Sequence, residues 1–330
     1  MERFQALSLF QPPNFVAAID PRRDGEEQKH LFGCVLAIPH TQAARIVAVL
    51  GFDFVFVDTL HAAINAETLV ALIQTVNFAS QGKTCTLVRV PSPQSDLLTQ
   101  GKTCTLVRVP SPQSDLLTYA LDAGAAGIIF PQIETAAEAA VAVQKVRYAY
   151  GGGTRSTSPL ALLDGITNLA PPGWTAETIA DRNIAVICQI ESVVRSHAIA
   201  AVPGVNAMML GTGDLRASLN LPVKTPGEKG EEDPTFYAAV AKLVAAAKAR
   251  TTPLMVPAFR TSPETVQWLR DFKLVITSVD ITGLVKAHRQ DLEAMKRTLG
   301  CQYHHHHHHH HHHQNGEHKL KQNGHSPSPV

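Results

Sequence analysis

A chain of 330 residues has room for one large α/β domain with tails, since barrels of that class run to about 250 residues or more as one unit. Hydrophobic residues make up 45%, charged residues 17%, and the formal net charge is +1, so no strong field directs the chain to nucleic acid or a membrane surface, and a small neutral or anionic substrate fits better. The start, MERFQALSLFQPPNFVAAIDPRRDGEEQKH, lacks a basic region leading into a long apolar one, and no apolar run approaches about 20 residues, so a cytoplasmic protein with no membrane or nucleic-acid partner is expected.

Residues 1–30 read as an N-terminal extension. From Leu31, short β-branched runs alternate with helical patterns, the mark of βα units around a parallel sheet, and one barrel domain is expected over 31–300. The first strand lies near LFGCVLAIP and its helix over TQAARIVAVLG. The second strand is FDFVFVD, and its helix NAETLVALIQTVNFAS takes Asn65 as N-cap. Gln81–Thr99 then recurs unchanged as Gln100–Thr118, a tandem duplication in which each copy carries one strand and the opening of one helix. Only one copy fits the third barrel position. The second is favoured, because SPQSDLLT runs directly into YALDAG and makes a helix with Ser111 as N-cap and Pro112 in its first turn. The first copy follows helix two without a break and stays an alternative, so whether Arg89 or Arg108 faces the barrel is open at this level.

GIIFPQI with its helix TAAEAAVAVQKVRYAY forms unit four, and IAVICQI with ESVVRSHAIAAV unit five. Ser156–Thr178, rich in Pro, Gly and Leu, reads as an insertion between them. AMMLGTGDL with a helix from about Asp233 to Arg250, PLMVPAF with Ser262 and Pro263 opening its helix, and LVITSVD with a helix from Ile281 to about Leu299 complete eight strands. Five cysteines without CxxC spacing read as reduced thiols. Residues 301–330 contain an unbroken histidine run, His304–His313. This tail is expected to be disordered, and the run resembles a purification tag or low-complexity tract more than a catalytic metal site.

In a (β/α)₈ barrel, reactive groups project from the C-terminal ends of the strands. Polar residues gather there: Asp58 and His61 after strand two, Arg108 after three, Gln132 after four, Glu191 after five, Asp214 after six and Asp280 after eight. Asp122 lies late in the third helix.

The segments GFDFVFVDTLHA, LVRVP followed by LDAG, IIFPQI, ICQIES and LGTGDLRASL, in this order, resemble the motifs of the HpcH/HpaI aldolase family, relatives of the citrate lyase β-subunit. The resemblance spans about Phe32 to Lys296. It implies a (β/α)₈ TIM barrel with a C-terminal helix exchanged between subunits of a hexamer, and a metal-dependent carbon–carbon lyase. The reaction implied is retro-aldol cleavage of a 4-hydroxy-2-oxo acid to pyruvate and an aldehyde through an enolate, with Mg²⁺, or Mn²⁺ or Co²⁺, as cofactor.

By the same resemblance, Glu191 and Asp214 are the metal ligands. A pair of strand-end carboxylates with room for water and a chelating 2-oxo acid suits a hard cation, although singly each carboxylate would pass for a helix-terminus residue. Arg108 matches an arginine at the substrate's ketone oxygen, where a permanently charged guanidinium stabilises the enolate oxyanion; its plain structural role would be pairing with a barrel carboxylate. His61 and Asp122 match an acid–base dyad; alone, each is an ordinary surface group. Gly211, Thr212 and Gly213 match the backbone that holds the substrate carboxylate, and Asp58 and Gln132 are assigned to the same substrate side.

The chain also departs from the family pattern. Thr59-Leu60-His61 replaces a usual GEH, Thr212 a proline, and Arg216 a serine. Oxaloacetate decarboxylation is an alternative outcome, as is a macrophomate synthase-type addition, although Gln132 stands where that type carries a histidine. A barrel impaired by the duplication and acting as a scaffold is a further alternative. A thioester lyase of the citrate-lyase kind ranks lower, since no basic patch for a coenzyme A phosphate is evident.

Overall fold

A computed structural model describes residues 12–23, 29–81, 104–159, 173–223, 232–258 and 267–299. The first copy of the duplication beyond Gln81, with Arg89, lies outside the described residues, as do Ser262 and Pro263 and the histidine-rich tail. The chain divides into two compact units, Met1–Lys286 and Ala287–Val330, of which the first contains the barrel.

Eight described strands, β1 (Leu31–Leu36), β2 (Phe54–Asp58), β3 (Cys104–Arg108), β4 (Gly127–Phe130), β5 (Ala185–Ile190), β6 (Ala207–Leu210), β7 (Leu254–Pro257) and β8 (Leu274–Val279), pair in chain order and close β8 onto β1. Every pairing is parallel. Helices α2 (Thr41–Val49), α3 (Ala66–Gln81), α4 (Asp115–Asp122), α5 (Ala136–Val146), α6 (Ala176–Asn183), α7 (Ser196–Ala200), α8 (Thr212–Ser218), α9 (Pro234–Lys248) and α10 (Asp280–Thr298) lie between or after them. The expected (β/α)₈ barrel is therefore the fold. Among the described residues no helix is long and apolar enough to cross a membrane.

The second copy of the duplication supplies the third strand. It pairs with β2 from Phe54↔Cys104 through Asp58↔Arg108 without a shift, and this register puts Arg108 beside Asp58. Helix α4 starts later than expected. Its N-cap is Ser114, whose hydroxyl accepts from the Leu116 amide, while the Ser111 hydroxyl accepts from the Gln113 amide in a turn ahead of the helix. The later start puts Asp115 in the first turn, where a carboxylate favours the helix dipole. Asn65 caps α3 as expected, accepting from the Thr68 amide at 2.8 Å. The segment expected as an insertion between units four and five gives way to α6 at Ala176, behind a capping box formed by Thr175 and Thr178.

The period of two along a strand sorts the core into an inner and an outer shell. Phe54 and Phe56, Cys104 and Leu106, Ala185 and Ile187, Ala207 and Met209 pack together inside the barrel. Their neighbours Val55, Val57, Val107, Val186 and Met208 pack outward against the helices. Within the N-terminal extension a short helix, α1 (Phe15–Ile19), adds Phe15 and Ile19 to the inner cluster. The Phe15 ring meets Phe54 edge-on with centroids 6.3 Å apart, and burying such a ring stabilises by roughly 1.5–3 kcal/mol. Helix α10 has no buried residue. Its Ile281, Leu284, Val285, Leu292 and Met295 are all exposed and recur at the spacing of one helical face.

Candidate active site

The inward positions of the barrel continue upward into the polar residues. Two residues beyond Phe56 comes Asp58; two beyond Leu106 comes Arg108; two and four beyond Ile187 come Gln189 and Glu191; two beyond Met209 comes Gly211. The alternation that fills the core with apolar side chains thus delivers polar ones to a single layer at the strand ends.

These side chains form one connected chain. Arg108 grips Asp58 at two points, Nε to Oδ1 at 2.9 Å and Nη2 to Oδ2 at 2.6 Å. Its Nη1 donates to Gln189 Oε1 at 3.1 Å, and Gln189 Nε2 donates to Glu191 Oε1 at 2.9 Å. Asp58 also accepts from the amides of Leu60 and His61, and the Thr59 hydroxyl donates to the Arg108 carbonyl at 2.6 Å. Asp58, Arg108 and Gln189 are buried, at 6%, 8% and 2% exposure. A planar guanidinium in a two-point grip has its orientation fixed, and further N–H groups on Nη1 and Nη2 remain for a ligand. Gln189 was not singled out from sequence. The available signal was its place in the alternating run Ala185, Ile187, Gln189, Glu191.

Glu191, two residues beyond Gln189, and Asp214, in the first turn of α8, are near enough for the charge of one to act on the other. Burial pushes the Glu191 carboxyl above its ordinary range, and the Asp214 charge raises it further. Glu134 adds to the rise, whereas hydrogen bonds from Gln189 and Gln132 oppose it. Gln132 reaches this position from a left-handed backbone, φ 54°, an uncommon conformation for a side chain of this kind. Gly211 leaves the room: a Cβ there would stand 3.3 Å from both Gln189 Nε2 and Glu191 Cγ. A hard divalent cation fits this donor set, because it would relieve the repulsion that raises Glu191. Among the described residues no group of three or more His, Cys, Asp or Glu gathers around one point. Two protein carboxylates with water and substrate oxygens completing the shell is the arrangement magnesium favours.

The glycine-rich stretch differs in one detail from expectation. The Gly211 amide donates to the Ile190 carbonyl at 3.0 Å, so Gly211 contributes space rather than a donor. Thr212 and Gly213 open α8, where backbone N–H groups have no partner within the helix.

His61 and Asp122 are not brought together within the chain. His61 follows the C-terminal end of β2 and is exposed, whereas Asp122 ends α4, just ahead of β4 at the opposite end of the parallel sheet. There Arg155 Nη2 donates to Asp122 Oδ1 at 3.1 Å. Two other charged residues are engaged in structural contacts. Arg216 is buried at 4% exposure, pairs with Glu232 and donates to the Pro222 carbonyl, so its charge is neutralised behind α8. Asp280 accepts from the amides of Ala37 and Ile38 at 3.0 and 2.8 Å, which ties the end of β1 to β8.

Residues 97–273, more than half of the chain, match the HpcH/HpaI aldolase/citrate lyase family. The chain belongs to that family. The motif resemblance is thereby confirmed, and the chain is an enzyme of the class II, divalent-metal-dependent aldolase type, a carbon–carbon lyase. It is 28% identical over 279 residues to a hydroxypyruvate/pyruvate aldolase of Paraburkholderia phytofirmans, covering 82% of this chain and 95% of the relative. A 4-hydroxy-2-oxovalerate aldolase of Rhodococcus jostii is 27% identical, with 59% of this chain and 67% of the relative covered. Among solved structures, macrophomate synthase superposes with a TM-score of 0.71 at 27% identity, covering 89% of this chain and 93% of that one. An HpcH/HpaI family protein of Burkholderia cenocepacia superposes at 0.65 with 25% identity, covering 84% and 98%.

Proposed function

We propose that this enzyme cleaves a 4-hydroxy-2-oxo acid into pyruvate and an aldehyde. The observation that carries this reading is the chain Asp58–Arg108–Gln189–Glu191, which links a fixed guanidinium to a carboxylate of the candidate metal pair. The relatives named as pyruvate and 4-hydroxy-2-oxovalerate aldolases support the substrate class.

Glu191 and Asp214 would hold Mg²⁺ or Mn²⁺, which as a Lewis acid polarises a 2-oxo acid. The free N–H groups of Arg108 face the negative charge that develops on the C2 oxygen. Because Asp58 and Gln189 fix the guanidinium beforehand, little reorganisation is needed as that charge appears. Thr212 and Gly213 amides at the start of α8 would receive the substrate carboxylate. A base takes the proton of the 4-hydroxyl, the C3–C4 bond breaks, the aldehyde leaves, and the electron pair passes into the enolate. Protonation at C3 then gives pyruvate. We assign the acid–base role to His61, with Asp122 of a second copy of the chain as its carboxylate, since the two residues of one chain lie at opposite ends of the barrel. An oligomer, read as a hexamer that exchanges α10, supplies that second copy and covers the apolar stripe of the helix. The same layer serves decarboxylation of oxaloacetate, which needs the same enolate stabilisation. The likeness to macrophomate synthase keeps this as the second reaction to assay, though Gln132 offers an acceptor substrate no imidazole.

Pyruvate release should be followed from 4-hydroxy-2-oxo acids and from oxaloacetate, with and without Mg²⁺ or Mn²⁺. Faster turnover of the hydroxy acids, dependent on metal, is expected. Turnover of oxaloacetate alone would replace the aldolase reading with the decarboxylase, and no turnover of either acid would replace both with the impaired barrel.

A further inference from the structure

Asp122 is held by a residue that the family resemblance does not assign. Arg155 donates to its Oδ1 and leaves Oδ2 as an acceptor; the side chains are 7% and 25% exposed. Arg155 is in turn immobilised from several sides. Its guanidinium lies 4.4 Å from the centre of the Tyr148 ring, its amide donates to the Arg147 carbonyl at 2.9 Å, and Tyr148 and Arg155 form a β-bridge. The turn between them requires Gly153, since a Cβ there would fall 1.9 Å from the Arg147 carbonyl oxygen. Tyr148 is anchored through its amide to Asp181 Oδ1 at 3.0 Å.

Other charged groups surround this pair. Arg147, at the end of α5, donates to Asn206 at 3.3 Å, while Asp181 and Glu177 lie on α6. Among the described residues, Arg155 also keeps two buried donors, Nε and Nη1, without a hydrogen-bond partner. Unsatisfied buried donors are costly, so stability alone is a poor reason for an arginine here. Besides its place over the Tyr148 ring, it contributes one oriented, charge-assisted bond to a partly exposed carboxylate.

We propose that Arg155 is a positioning residue for Asp122, orienting the carboxylate so that its second oxygen meets the His61 imidazole of another copy of the chain. The inference rests on the reading of His61 and Asp122 as the acid–base dyad.

Steady-state kinetics on the full chain with saturating Mg²⁺ separate the two. Asp122→Asn should lower kcat about 100-fold or more. Arg155→Gln and Arg155→Met, which remove the bond, should lower kcat about 10- to 100-fold with KM changed no more than about twofold, and Arg155→Lys should recover part of the loss. Combined with Asp122→Asn, each should add nothing, because a positioning residue has no effect once its client is gone. Wild-type kcat in both the Gln and Met variants, or losses that multiply in the double variants, would overturn the role of Arg155 while leaving the dyad intact. Wild-type kcat in Asp122→Asn would instead sink the dyad reading and this inference with it.

Discussion

The two ends of the barrel carry the same kinds of group in opposite conditions. At the C-terminal ends of the strands, Arg108 is gripped by Asp58 and Gln189, and the network runs on to Glu191 within one chain. At the other end, Arg147 and Arg155 account for three of the four buried side-chain N or O atoms without a partner among the described residues. The two-point bond to Asp58 fixes Arg108 with its remaining N–H groups in one orientation, whereas Arg155 makes a single bond to its carboxylate. In the proposed mechanism this difference has a reading: one chain supplies the oxyanion side of the site, and Asp122 serves the His61 of a second copy.

Breaking the Arg108 end should have the largest effect. Asp58→Asn leaves the Arg108 charge buried with its counter-charge removed, which should destabilise by about 3–5 kcal/mol in denaturant unfolding. Arg108→Lys cannot reproduce the two-point grip, and kcat should fall about 100- to 1000-fold in the pyruvate assay. Gly211→Ala places a methyl against Gln189 and Glu191 at 3.3 Å; a forced shift of the metal-side layer should lower kcat/KM about tenfold, with unfolding little changed. If Gly211→Ala were as active as wild type, Glu191 would have to be less constrained than its contacts indicate.

Smaller effects sharpen the picture of the carboxylate pair. Burial and Asp214 both raise the Glu191 carboxyl above its ordinary range, so the ionised pair weakens the metal-free fold. Glu191→Gln should therefore raise the Tm of metal-free protein by a few degrees while abolishing turnover, as read by calorimetry in chelator. The smallest effect concerns Cys188, whose thiol burial pushes from 9.0 up to about 12. The folded state keeps its proton while the unfolded chain begins to release it, so stability is intact below about 9 and declines as pH rises towards about 12. Cys188→Val should flatten that alkaline decline in pH-dependent denaturation.

Much of this layout was legible from sequence because the period of two does not stop where the core stops. Phe54, Phe56, Asp58 and Cys104, Leu106, Arg108 each count one step from apolar interior to reactive end, so the strands and their polar tips were read together. The duplication was harder, since Arg89 and Arg108 are identical by motif; the register of β3 against β2 distinguishes them. Gln189 passed unnoticed because a glutamine carries no chemical signature until its two neighbours are in place. The partner of Asp122 was hidden for another reason: Arg155 lies 33 residues on, across a glycine turn whose path no periodicity encodes. Ser111 and Ser114 both satisfy a capping pattern, and only the hydrogen bonds show which opens the helix.

The most direct test of the account is Mn²⁺ binding, measured by electron paramagnetic resonance on wild type and Glu191→Ala, alongside pyruvate release from a 4-hydroxy-2-oxo acid on the same samples. The account predicts that wild type binds the ion in step with activity, and that Glu191→Ala loses both. Tight Mn²⁺ binding that persists in Glu191→Ala, or metal-independent turnover in wild type, would contradict it.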